Sequence, residues 1–242
     1  MRILAAFRKL LGIAEVRRRI LWTFGLLGLF RLGSHLPLPG LHPAAIEAFR
    51  QSASRSMGAL WNVLELFSGG ALGKLAVGCL GIAPYITASI LVQMMTRASA
   101  RLEALSKEGL QGQRFLQRLT RWVTLPIAIG QAAFAAGHLR EASLQARLHG
   151  SLGLLTSEGV GGWVVLAAGL VAGSFFTLWL SEQITERGLG NGQSLIILAG
   201  IVARWPALAV ETLRKGGAGN LLLLAGLSVV AILGTVVVAR AE

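Results

Sequence analysis

The sequence has no aspartate, only one cysteine and one tyrosine, and few charges of any kind. Charged residues make up 14% of its 242 positions, against roughly 25% in soluble domains, so a soluble globule is not expected. The lone Cys79 excludes a disulfide framework and a cysteine-rich zinc site. The histidines show no metal-site spacing, and neither HExxH nor GxSxG occurs. The sequence therefore predicts no catalytic residue, no metal ligand and no cofactor.

Long apolar stretches are abundant instead: 54% of the residues are hydrophobic and the mean hydropathy is +0.64. A membrane-crossing helix needs about 20 mostly apolar residues. Four uncharged stretches come close to that length: Leu75–Thr96, Trp122–Leu139, Val160–Leu180 and Gly216–Ala239. Two weaker candidates are Ile20–Leu38, which Arg31 interrupts, and the short Gly188–Ala203. The sequence thus predicts an all-α, polytopic membrane helix bundle with six spans. Since the four strong spans carry no acidic residue, a proton-relay carrier is not expected.

The chain is strongly basic, with 23 Lys and Arg residues and a formal net charge of +12. The basic residues cluster beside the apolar stretches, which favours membrane orientation over binding to a specific nucleic acid. They concentrate in residues 1–19 and 97–121, so both chain ends are predicted to be cytoplasmic. Arg8, Lys9 and Arg17–Arg19 interrupt any signal-peptide core, and residues 1–19 are predicted to form a cytoplasmic amphipathic helix.

The stretch from Leu60 to Gly81 is too polar to span and too apolar for an ordinary loop. Leu60, Leu64 and Phe67 share a helical face, and Ser68, Gly69 and Gly70 then break the helix. Two interpretations stay open: a short helix folded back into the membrane, or an amphipathic helix lying flat on the outer surface. The first implies a cavity, because non-helical backbone at membrane depth must be buried in protein or face water.

Two further features depart from an ordinary spanning helix. Pro84 lies inside Leu75–Thr96 and predicts a kink there, and the neighbouring Ile82 and Ile86 share a face that by default meets lipid or core. A polar connection, 181–192, leads into a glycine-rich helix start that matches neither phosphate-binding glycine motif. In the span between them, Gly169 and Gly173 form a small-residue pattern that predicts a close helix-packing face.

Several ordered motifs resemble the SecY family, the protein-conducting channel of the bacterial Sec translocon. They are Phe30–Ser34 with Pro37–Gly40, Phe67–Leu72, Leu80–Ile90 with Gln93, Glu182–Gly192, and Ala199–Ala203. The resemblance covers nearly the whole chain, with similar order and spacing. It implies the N-terminal half of a SecY-type channel plus one further span, within a longer family pattern of two inverted halves. Residues 20–210 would form the first five-span half and 211–242 the sixth span.

The resemblance also assigns roles to individual residues. A re-entrant plug, 57–73, would close the channel with Leu60, Leu64, Phe67, Ser68, Gly69 and Gly70. A pore ring of β-branched apolar side chains would contain Ile82, Ile86 and Ile197. At one further ring position the family has isoleucine and this sequence has Gln193, which leaves the completeness of the ring open. A lateral gate would form between Leu75–Thr96 and Trp122–Leu139, and would include Thr87 and Gln93.

Such a channel is expected to pass unfolded preproteins across the bacterial plasma membrane and to release membrane segments sideways into the lipid bilayer. The expected partners are the SecE and SecG membrane subunits, SecA ATPase or a translating ribosome on the cytoplasmic face, and a preprotein with its signal peptide. Two alternatives stay open. A secondary small-solute transporter also uses broken helices, and a membrane assembly factor would bind partner helices without conducting cargo.

Overall fold

The computed structural model describes residues 13–58, 61, 65, 68–148, 155, 159–207, 209–210, 212–214, 219, 226 and 228. Within these residues the regular elements are helices, and the β-structure is limited to isolated bridges. The helices are α1 (Ala14–Gly33), α2 (Pro43–Met57), α3 (Ala83–Ala98), α4 (Ala100–Lys107), α5 (Leu110–Leu148), α6 (Val160–Arg187) and α7 (Gly192–Arg214). The predicted all-α class is confirmed.

Three helices in the described part of the chain are long and apolar enough to cross a membrane: Leu110–Glu141 of α5, all of α6, and α7. The predicted spans Trp122–Leu139 and Val160–Leu180 lie inside the first two, and α7 extends the short predicted span Gly188–Ala203. The predicted span Gly216–Ala239 lies almost entirely outside the described residues. By its packing the chain divides into two compact units, Met1–Gly200 and Ile201–Glu242. Every contact described below lies within the first.

The first predicted span has different bounds in the structure. Helix α1 begins at Ala14 and ends at Gly33, so the outer part of Ile20–Leu38 is not helical. Residues 14–19, which are predicted to belong to the surface helix 1–19, are part of α1. Glu15 and Arg19, one turn apart in α1, form an ion pair of 3.0 Å that stabilises the helix there. Residues 1–12 lie outside the described part of the chain.

The prediction of a kinked span over Leu75–Thr96 is wrong in its first part, since α3 begins only at Ala83. Pro84 lies in the first turn of α3, where its missing N–H would have no helical partner and its fixed φ suits a helix start. Gly81 has φ of +54°, a left-handed conformation that turns the chain into the helix. Proline therefore starts this helix and does not bend it.

The segment before α3, residues 71–82, consists of turns rather than a helix. Its backbone is held by neighbouring elements: Leu38 N–H donates to the Leu75 carbonyl and Val77 N–H to the Leu36 carbonyl, both at 3.0 Å. The Ser174 hydroxyl of α6 donates to the Gly81 carbonyl at 3.2 Å. Ala71, Leu75 and Ala76 are almost fully buried. The segment thus meets the rule that non-helical backbone in a membrane must be enclosed by protein.

Helix α6 forms the centre of this packing. Leu166 and Leu170 are buried in one core cluster together with Leu38 and Leu75. The face predicted from Gly169 and Gly173 does not pack against another helix: a Cβ on Gly169 would meet the tip of Leu38, and one on Gly173 would overlap the Val77 carbonyl. Small residues allow this approach because α6 must accommodate the backbone of the 71–82 segment.

Candidate functional site

The residues expected to form the plug are only partly described. Leu60, Leu64 and Phe67 lie outside the described residues, whereas Ser68, Gly69 and Gly70 form a tight turn. The Glu65 carbonyl accepts hydrogen bonds from Gly70 N–H at 2.9 Å and from the Ser68 hydroxyl at 3.1 Å. Gly69 and Gly70 adopt φ of +64° and +84°, a left-handed conformation that residues with a Cβ rarely adopt. The predicted glycine break is therefore a real change of chain direction.

Arg31 of α1 holds this turn in place. Its Nη1 donates a hydrogen bond to the Gly69 carbonyl at 2.8 Å. A Cβ at Gly69 would also lie 3.0 Å from the Cα of Gly200 in α7. In the sequence, Arg31 interrupts an apolar stretch and belongs to the Phe30–Ser34 motif. A cation among apolar residues requires a polar partner, but the sequence does not say which residue supplies it.

The expected ring residues occupy the starts of α3 and α7. Ile82 is buried and its carbonyl accepts the N–H groups of Tyr85 and Ile86, each at 3.1 Å, which begins α3. Ile86 and Ile197 are partly buried, as is Gln193. Gln193 lines the same cavity as Tyr85, the residue before Ile86. The structure therefore places Gln193 near the start of α3.

This cavity is polar, has a volume of about 650 Å³ and lies between α3, α4 and α5. Its lining includes Tyr85, Ser89, Gln93, Thr96, Gln117 and Gln193. Gln93, expected in the lateral gate, therefore faces the cavity, whereas Thr87 is exposed and its hydroxyl donates to the Ala83 carbonyl at 3.1 Å. Helices α3 and α5, which correspond to the two expected gate elements, pack against each other.

The glycine-rich connection before α7 is shorter than predicted. Helix α6 continues through Ser181–Arg187, so only Gly188–Asn191 connects the two helices. Asn191 Oδ1 accepts hydrogen bonds from Gln193 N–H at 2.9 Å and from Ser194 N–H at 3.4 Å, and so caps the start of α7. Gly192 N–H donates to Thr185 Oγ1 at 2.9 Å, and this hydrogen bond links the start of α7 to the end of α6.

Thr23 of α1 anchors the same connection. Its buried hydroxyl donates to the Arg19 carbonyl at 2.9 Å and accepts the Leu189 N–H at 3.0 Å. We expect Thr23→Val, which keeps the shape and removes the acceptor, to lower the free energy of unfolding by about 2 kcal/mol, because the Leu189 N–H loses its partner. Thermal unfolding in detergent micelles measures the loss.

The matched control for Thr23 is Thr87→Val. Thr87 is exposed and its hydroxyl bonds only within its own helix, so its loss should change stability by no more than about 0.5 kcal/mol. Equal effects of the two variants would show that the Thr23 hydroxyl does not anchor the connection.

Charged contacts join helix ends near this connection. Arg121 Nε of α5 lies 2.6 Å from Glu182 Oε1 of α6. The Arg187 guanidinium lies over the Trp22 ring of α1, 5.7 Å from its centroid. These contacts join the C-terminal part of α6 to the N-terminal parts of α1 and α5.

Taken together, the elements define a polytopic membrane helix bundle with an enclosed non-helical segment and a short glycine-rich connection between two spanning helices. Residues 77–242 match the family model described as SecY. The chain belongs to the SecY family.

In the described residues no group of three or more His, Cys, Asp or Glu side chains is placed to hold a metal ion.

Curated relatives carry the name Protein translocase subunit SecY. The protein from Escherichia coli K12 is 38% identical over 210 residues, covering 87% of this chain and 45% of that protein. The protein from Mycobacterium tuberculosis H37Rv is 36% identical over 242 residues, covering 99% of this chain and 54% of that one. The chain thus spans about half the length of the curated relatives it matches.

Solved structures show the same fold. Sec61 in the canine ribosome–channel complex from the endoplasmic reticulum gives a TM-score of 0.54 at 14% identity, covering 85% of this chain and 43% of that chain. A second structure, described as a protein-conducting channel, gives the same score and coverage. The predicted SecY-type fold is confirmed.

Proposed function

We propose that this chain forms part of a protein translocation channel that passes unfolded preproteins across the bacterial plasma membrane and releases membrane segments laterally into the bilayer. The observation that carries the proposal is the 38% identity to the Escherichia coli Protein translocase subunit SecY over 87% of the chain. The enclosed 71–82 segment supports it, because non-helical backbone surrounded by protein lies where the expected plug joins α3. The channel performs no chemistry of its own.

The expected site residues take their proposed roles within this function. Residues 57–73 plug the channel, Ile82, Ile86 and Ile197 line its constriction, and α3 and α5 contribute to the lateral gate with Thr87 and Gln93. A ring of β-branched apolar side chains fits any extended polypeptide and resists ion leakage by dewetting. Gln193 is compatible with such a ring because it lies near the start of α3, on a cavity that other polar side chains, Tyr85 among them, also line.

The proposed partners are SecE and SecG in the membrane, and SecA ATPase or a translating ribosome on the cytoplasmic face, which supply the driving force. The proposed orientation places the N-terminus in the cytoplasm. Its support is the basic stretch around α4, residues 97–121, because cytoplasmic connections carry an excess of Lys and Arg.

Site-specific photocrosslinking in the assembled channel that contains this chain tests the proposal. A photoreactive residue at Ile82, Ile86, Gln193 or Ile197 is expected to label a secretory chain stalled in transit, because these side chains would border the cargo path. The labelling yield at these positions should exceed the yield at two control positions by about ten-fold, which means that the cargo contacts the ring positions in most of the labelled complexes.

The controls lie on the same two helices and face outward: Met94 on α3 is 65% exposed, and Leu198 on α7, next to Ile197, is 53% exposed. Equal labelling at ring and control positions would remove the pore assignment. Saturable uptake of one small solute would then support a transporter. Stable complex formation with no labelling of cargo would support an assembly factor.

A further inference from the structure

Helix α5 has a weak point in its interior. Pro126 lies inside this helix and has no N–H, so the Trp122 carbonyl one turn earlier loses its helical hydrogen bond. Gly130 follows one turn later, and glycine disfavours the interior of a helix more than any residue except proline. Sharp bends in helices occur almost always at positions of this kind. The two parts of α5 on either side of Pro126 are therefore not held as one rigid rod.

The part of α5 after Pro126 is held by the apolar core. Ala132 and Leu139 are buried in one cluster together with Leu166 and Leu170 of α6. Packing of this kind is spread over many small contacts. This part of the helix is therefore expected to stay in place when a single polar contact elsewhere is removed.

The part before Pro126, residues 110–125, is the first segment of α5 and borders open space. Leu116, Gln117 and Thr120 line the polar cavity of about 650 Å³ between α3, α4 and α5. The segment can therefore move into the cavity without displacing a packed core. Its charged contact with α6 is the ion pair of Arg121 Nε with Glu182 Oε1, at 2.6 Å.

Glu182 belongs to a well-anchored part of α6. Ile184, two residues later, is fully buried in a cluster with Leu26 and Phe30 of α1. The side chain of Glu182 is only 23% exposed, against 50% for Arg121. The ion pair is thus partly shielded from water, which makes it stronger than a fully exposed pair.

We propose that Arg121 and Glu182 are positioning residues whose ion pair holds the first segment of α5 against α6, and that Pro126 is the pivot about which this segment moves when the pair separates. The inference rests on the proposed function, in which α5 contributes to the lateral gate, and it adds which contact holds that helix at rest. Movement of the first segment changes the space between α3 and α5, because the cavity lies between these helices.

Distances between spin labels, measured in the assembled channel that contains this chain, test the proposal. One label replaces Leu21 of α1, which is 66% exposed, and the other replaces Phe115 in the first segment, which is 45% exposed. Glu182→Gln and Arg121→Gln are each expected to raise the population with a displaced distance by about five-fold, the effect of losing a partly shielded ion pair. The charge swap, Arg121→Glu together with Glu182→Arg, is expected to restore the distances of the parent, which a purely structural role would not predict.

A second pair of labels tests the pivot. Leu144 lies beyond Pro126 and is 49% exposed, and its distance to Leu21 should stay constant in every variant because the core holds that part of α5. Pro126→Ala supplies the missing N–H. Combined with Glu182→Gln, it should lower the displaced population toward that of the parent.

Glu15→Gln is the matched control. It removes an ion pair of 3.0 Å that lies within α1 alone, so the Phe115 distance should equal that of the parent.

Three results overturn the proposal. The first is an unchanged Phe115 distance in both single variants, and the second is a charge swap that is displaced as much as they are. The third is a joint shift of Phe115 and Leu144, or a displacement that Pro126→Ala does not reduce, because α5 would then move as one rod.

Cargo crosslinking to Ile82 in the parent channel tests the proposed function separately. If crosslinking occurs and the distance results fail, only this inference is lost. If the parent shows no crosslinking, the proposed function fails, whatever the distances show.

Discussion

Gly173→Ala is expected to lower the free energy of unfolding by about 3 kcal/mol. A Cβ on Gly173 would overlap the Val77 carbonyl, a backbone group that cannot rotate away as a side chain can. The substitution must therefore push α6 away from the 71–82 segment. Thermal unfolding in detergent micelles, followed by circular dichroism, measures the loss.

Two further glycines of α6 provide graded controls for the same change. Gly161 has nothing within 4 Å of a built Cβ, so Gly161→Ala should leave stability unchanged or raise it slightly. At Gly169 the nearest atom, 2.7 Å away, is the Leu38 Cδ2, the flexible end of a side chain, so Gly169→Ala should have an intermediate effect. If all three variants unfold alike, the close approach of α6 to Val77 does not stabilise the fold.

Hydropathy was sufficient to predict the long spanning helices. Trp122–Leu139 and Val160–Leu180 lack charge over nearly the required length, and lipid enforces helix on any such segment that is not otherwise enclosed. The same reasoning failed for the start of α3. A turn segment enclosed by protein needs apolar side chains just as a spanning helix does. Hydropathy therefore assigned residues 75–82 to the predicted span although they form turns.

The end of α6 shows a second limit of hydropathy. Ser181–Arg187 is polar, and polarity marks where a chain leaves the hydrocarbon but not where its helix ends. The helix ends at Arg187, and the next free N–H, that of Leu189, donates to Thr23 Oγ1 of α1. Only glycine fits at position 188, because a Cβ there would lie 2.5 Å from the same oxygen. That constraint comes from α1, which is distant in sequence, and local pattern cannot contain it.

The site residues divide in the same way. The turn at Ser68–Gly70 could be predicted, because consecutive glycines after a helical pattern permit positive φ. The contacts that hold it could not. Arg31 and Gly69 are 38 residues apart, and their pairing depends on how α1 packs beside the turn. Motif resemblance likewise suggested where Gln193 lies, but not that it would line one cavity with Tyr85 of α3.

Gly69→Ala is expected to combine two costs and to lower the free energy of unfolding by about 3 kcal/mol. Its φ of +64° disfavours any side chain by about 1 kcal/mol. Its Cβ would also lie 3.0 Å from Gly200 Cα and 3.3 Å from Arg31 Nη1, so the turn must shift and weaken the Arg31 hydrogen bond, for a further loss of about 2 kcal/mol. Under the proposed function, a shifted turn also displaces the base of the plug, and resting ion leakage should rise.

Gly40→Ala separates the two costs. Gly40 has a comparable φ of +81° but nothing within 4 Å of a built Cβ, so its substitution carries the conformational cost alone. The comparison predicts a loss of about 1 kcal/mol at Gly40 without added leakage. If Gly69→Ala costs no more than Gly40→Ala, the contact with Arg31 and Gly200 contributes nothing to stability. If Gly69→Ala lowers the free energy of unfolding more than Gly40→Ala does but raises ion leakage no further, the turn stabilises the fold without controlling closure.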